Sequence, residues 1–79
     1  MNDLHHAPRA ERNVAARDDR ERIIEVLETM SDTLRVPLIL RDMDQMSYQE
    51  IADTLGIGLS AVKMRIKRAR EEFQERFAA

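Results

Sequence analysis

The 79 residues include no cysteine, two glycines and two prolines and carry a formal net charge of −2. That leaves room for one small domain of three or four helices and excludes a disulfide framework, a thiol nucleophile and a thiolate zinc site. Charge is segregated rather than absent: Lys63, Arg65, Lys67, Arg68 and Arg70 fall within eight residues that hold no acid, so the rest of the chain carries about −7.

Residues 1–16 (MNDLHHAPRAERNVAA) mix charge, a proline and small residues without a sustained apolar stripe, the composition of a disordered tail or the remnant of an interdomain linker. His5 and His6 are neighbours whose side chains point apart in an extended chain, with no third ligand nearby, so neither a metal nor another cofactor is expected. No apolar run approaches the roughly 18 residues that span a bilayer, and the first residues lack the apolar centre of a signal peptide. A cytoplasmic protein without membrane insertion is the expectation.

Residues 17–79 form the predicted domain. Ile23, Ile24, Leu27 and Met30 recur at helical spacing behind Asp18, Asp19 and Glu21, which suit the positive end of a helix dipole, and they predict a first helix from about Asp18 to Met30. Ser31 and Asp32 are capping residue types, and Leu34, Leu38, Ile39 and Met43 repeat one face of a second helix. Pro37 interrupts it, so either the regular helix starts near Pro37 or its first turn is distorted. Ser47 to Glu50 spells a capping box that opens a third helix; Ile51, Ala52 and Leu55 give it an inner face and Gly56 stops it. A fourth helix runs from about Leu59 to Phe77 behind Gly58, a weak cap that Ser60 is expected to assist. The class is all-α: a four-helix domain with a C-terminal helix-turn-helix and no winged strands.

At roughly 100° per residue, Leu59, Val62, Ile66, Ala69, Phe73 and Phe77 share a sector about 80° wide that is expected to be buried. Ser60, Met64, Lys67, Arg68 and Glu71 lie opposite, with Ala61 and Lys63 on the shoulders. Arg65 and Arg70 flank the apolar stripe, where they suit phosphate contacts, ion pairs inside the domain, or both. Ala52, Gly56 and Val62 stand at offsets of four and ten, the spacing of a helix-turn-helix: the alanine permits close approach, the glycine makes the turn and the valine locks the second helix on the first. Such a motif presents its second helix to the major groove of DNA.

Through "LRD", "SYQEIA", "LGI" and "VKMRIKRAR", in that order and spacing, the chain resembles region 4 of a bacterial sigma factor of the sigma-70 family, of the extracytoplasmic-function (ECF) type, as a C-terminal domain only. The resemblance implies sequence-specific binding to the promoter minus-35 element in double-stranded DNA, docking on the β flap of the RNA polymerase core, direction of transcription initiation, and masking by an anti-sigma factor. It puts the base contacts on Lys63, Met64, Lys67 and Arg68. Ser60, Ala61, Arg65 and Arg70 are the candidate phosphate contacts. Ala61 stands where the family commonly has threonine, which removes a hydroxyl that could reach a phosphate. Met64 stands where a small polar residue is usual and Lys67 where an aromatic or histidine is common, and together the three point to an altered promoter preference or to a domain that works mainly through protein contacts. No region 2 fits into the first sixteen residues, so an excised domain or a small stand-alone region 4 protein is expected, acting as a monomer.

Two other readings compete. The chain can be a protein-interaction module, with Leu34, Val36, Leu38, Met43 and Met46 as its partner surface, although an amphipathic stripe of this kind is also what a core looks like. It can also be a LuxR-type DNA-binding domain, which shares the "EIA...LGI...VK" pattern; "RIKRARE" fits the sigma family better. With no glycine-rich phosphate loop and no nucleophile-base pair, an enzyme is not expected. Tyr48, Phe73 and Phe77 are read as packed residues.

Overall fold

The computed structural model describes the backbone from Ala7 and the side chains from Asp18, in each case to Ala79; His5 and His6 lie outside the described residues. Four helices follow in order: α1 (Ala7–Thr29), α2 (Asp32–Asp42), α3 (Tyr48–Leu55) and α4 (Leu59–Ala78). No strand occurs among the described residues. Helix α1 begins at Ala7, well before the Asp18 start that its apolar spacing predicts. The reason is local: alanine, arginine and glutamate, all good helix formers, dominate residues 9–17, and Pro8 falls in the first turn, where its missing N–H costs nothing. The inner stripe of α1 is also shifted. Val26 and Leu27 are buried, whereas Ile24 is 51% exposed.

Helix α2 does not wait for Pro37. It starts at Asp32, and its first turn is tightened, because the amides of both Leu34 and Arg35 donate to the Ser31 carbonyl at 3.2 and 2.8 Å. Pro37 removes one backbone donor from the ladder, but its ring is fully buried, which offsets part of that loss. Arg41 then ties down the connection to α3: Nη1 donates to the Met46 carbonyl at 2.8 Å, and the guanidinium lies 4.6 Å from the centre of the Tyr48 ring.

The capping box of α3 is complete, with Ser47 Oγ accepting from the Glu50 amide at 3.0 Å and Glu50 Oε1 accepting from the Ser47 amide at 2.8 Å. Gly56 ends α3 at φ 68° and ψ 35°. An added Cβ would meet no atom there, so glycine is needed for the left-handed backbone rather than for space.

Two adjoining clusters make the core. Leu27, Met30, Leu38 and Ala69 form one, with Phe73 packed against it; Ile51, Ala52, Val62 and Ile66 form the other, with Tyr48 against it. Helix α4 contributes to both and packs on all three other helices, most extensively on α2. Its buried stripe is Val62, Ile66 and Ala69, while Leu59, expected to belong to it, is 39% exposed in the first turn. The far end of α4 is clasped to α1. Arg22 lies 5.0 Å from the Phe77 ring centre and its Nε donates to the Phe77 carbonyl at 3.0 Å, while Arg76 Nη1 donates to the Thr29 carbonyl at 2.7 Å.

Candidate nucleic-acid interface

With Val62, Ile66 and Ala69 turned into the core, the opposite side of α4 must face outward. Ser60, Lys63, Met64, Lys67, Arg68 and Glu71 are all exposed and line one open depression on that side. Met64 is 55% exposed, an apolar side chain at the centre of a charged face. Ala61 and Arg65 are half-buried on its flank. The ion pairs among the described residues are Arg35–Asp32, Arg70–Asp42 and Arg76–Glu72. None of them engages Lys63, Arg65, Lys67 or Arg68, so four cations stand together without a carboxylate partner and give one face of a net-negative chain a positive potential.

One expectation is corrected here. Gly58 caps α4 without a side-chain hydrogen bond and Ser60 supplies none, so the first-turn amides remain open. Arg70, for which an ion pair inside the domain was one expectation, forms one: Nε and Nη2 meet Asp42 Oδ2 and Oδ1 at 3.1 and 2.6 Å, with both side chains still partly exposed. The hydrogen bonds that Arg70 donates to Asp42 are the main cause that raises the Arg70 pKa above its ordinary value.

The residues expected to form a partner surface fall in different places. A groove of about 500 Å³ opens between α1, α2 and α4, lined by Ile23, Leu27, Leu38, Ile39, Met43 and Phe73, with Asp42, Arg70 and Gln74 on its polar side. Leu38, only 6% exposed, is its floor and also part of the core; Met43, 55% exposed, is its lip. Leu34 and Met46 are instead packed against the two core clusters, and Val36, 36% exposed, does not line the groove. Ile23, Leu27, Ile39 and Phe73 were legible only as core, because a groove built from three helices appears once they are assembled.

The family model for sigma-70, region 4 matches residues 20–73, which takes in α3, most of α4 and nearly all of the groove. The chain belongs to the sigma-70 region 4 family. Among similar curated proteins, the positive control factor of Bacillus subtilis (strain 168) is 39% identical over 57 residues, covering 72% of this chain and 34% of that protein. The ECF RNA polymerase sigma-E factor of Escherichia coli (strain K12) is 36% identical over 52 residues, covering 66% of this chain and 27% of that protein, and the sigma-E factor of Salmonella typhimurium (strain LT2) matches to the same extent. The chain therefore spans about a third or less of the length of these relatives. No solved structure matches it. As a region 4 domain it is a DNA-binding domain of the sigma-factor type and not an enzyme; the LuxR-type reading is set aside by the family match. No helix among the described residues is long and apolar enough to cross a membrane.

Proposed function

We propose that this region 4 domain reads the promoter minus-35 element as duplex DNA, as part of an ECF-type sigma factor that directs transcription initiation in the bacterial cytoplasm. The observation that carries this is the outward face of α4, where Lys63, Met64, Lys67 and Arg68 are exposed together and the cations are unpaired among the described residues. In the major groove, Arg68 and Lys63 supply donors to guanine O6 and N7, and Met64 supplies an apolar contact of the kind a thymine methyl accepts. Ser60 and Ala61 sit in the first turn, where the open amides and the helix dipole suit a phosphate. Arg65, on the flank, takes another. The groove between α1, α2 and α4 supports a second activity, docking of the apolar flap-tip helix of the polymerase β subunit, and an anti-sigma factor would compete for these surfaces. The domain acts as a monomer on DNA.

The test uses the duplex that the chain itself enriches from a random pool. Arg65→Ala is expected to weaken binding to this duplex and to an unrelated one by similar factors, and to reduce the slope of log K against log salt by about 1. A change in the ratio between the two duplexes, with the slope intact, would assign Arg65 to base reading instead.

A further inference from the structure

Arg70 follows the outward-facing cations on the same helix, yet its guanidinium is directed elsewhere. It sits two turns beyond Lys63 and roughly 120° around the helix from the centre of the outward sector. Its two hydrogen bonds to Asp42, at 3.1 and 2.6 Å, form a fork-on-fork pair. Among the described residues this is the one ion pair that joins two helices, since Arg35–Asp32 lies within α2 and Arg76–Glu72 within α4.

The hydrogen bonds of Arg22 and Arg76 tie the far end of α4 to α1, so on the α2 side the Arg70–Asp42 pair is the one directional side-chain contact among the described residues. The rest of the α2–α4 contact near Arg70 is apolar, with the single methyl group of Ala69 fully buried and Phe73 packed one turn on, and apolar burial favours contact without specifying an angle. A rotation of about 10° moves a side-chain tip some 6 Å from the axis by roughly 1 Å, enough to spoil a bidentate contact to a base edge. We infer that Arg70 is a positioning residue: with Asp42 it fixes the rotation of α4 on α2 and so aims Lys63, Met64, Lys67 and Arg68, while making no phosphate contact of its own. The inference rests on the duplex-binding reading above. The same pair forms the polar wall of the groove, so one interaction sets both the wall and the aim of the reading helix.

The sign of one substitution separates the alternatives. If Arg70 served a phosphate, Asp42→Asn would release it and strengthen binding; as a positioning pair, the same change weakens it. With the enriched duplex and an unrelated duplex as probes, at a temperature where circular dichroism shows each variant folded, Asp42→Asn and Arg70→Gln are each expected to weaken the enriched duplex about tenfold, leaving the unrelated one and the salt slope nearly unchanged. Arg70→Lys, which keeps the charge and loses the fork, is expected to behave like Arg70→Gln. Tighter or unchanged binding by Asp42→Asn, a salt slope reduced by about 1 in Arg70→Gln, or full binding by Arg70→Lys overturns the inference. If the wild-type chain enriches no duplex, the reading of the face fails first and the inference falls with it; specific wild-type binding with the contrary variant pattern overturns the inference alone.

Discussion

Arg68→Ala is expected to weaken binding to the enriched duplex by about 1 to 3 kcal/mol, roughly 5- to 150-fold, and to relax specificity at one base pair. Three properties of Arg68 lead to this. It lies on the outward face of a helix anchored by Val62 and Ile66, which are 0% and 1% exposed, so the base of its side chain is held firmly. Its guanidinium enters none of the domain's ion pairs among the described residues and breaks no internal contact on binding. A planar fork also matches guanine O6 and N7 as two acceptors, so its removal costs more on the right base than on the wrong one. Alanine is a strong helix former, and the melting temperature should stay within a few degrees of wild type. Anisotropy titrations on the enriched duplex and on single-base variants of it check the claim; equal losses on all duplexes would reduce Arg68 to a nonspecific cation.

Ile66→Ala is expected to have the largest effect on stability, about 2 to 5 kcal/mol, because the removed methyl groups leave a cavity in the middle of the second core cluster. In a domain of this size that corresponds to a fall in melting temperature of at least about 10 °C, measured by circular dichroism at 222 nm. Ile66→Leu, which conserves volume, should cost less than about 1.5 kcal/mol. Since Ile66 points away from the outward face, the alanine variant should still bind the enriched duplex once cooled to a temperature where it is folded. A melting temperature unchanged within a few degrees would mean that α4 is not held by this cluster.

These two residues also mark what the sequence discloses. The helical wheel separates Ile66 from Arg68 because both lie in one long amphipathic helix, where a fixed 100° step carries each identity to a face. The capping box at Ser47 and the stop at Gly56 were legible for the same reason, being interactions within a few residues. The start of α1 was not, because a helix without an apolar stripe leaves only propensity as its signal. The role of Asp42 was invisible too: its partner lies 28 residues away, and nothing in the spacing joins them until α2 and α4 are packed. The groove escaped for a related reason, since Ile23, Ile39 and Phe73 look like core residues until a gap between three helices separates packed surface from unfilled surface.

The central claim is that the exposed face of α4 reads a DNA sequence rather than merely attracting DNA. A selection from random duplexes by the wild-type chain, run at two salt concentrations, tests it most directly. Sequence reading should enrich one short motif at both concentrations, with affinity falling as salt rises while the preference for the motif persists. A steep loss of binding with salt and no enriched motif at either concentration would leave only nonspecific attraction between a basic helix and a phosphate backbone.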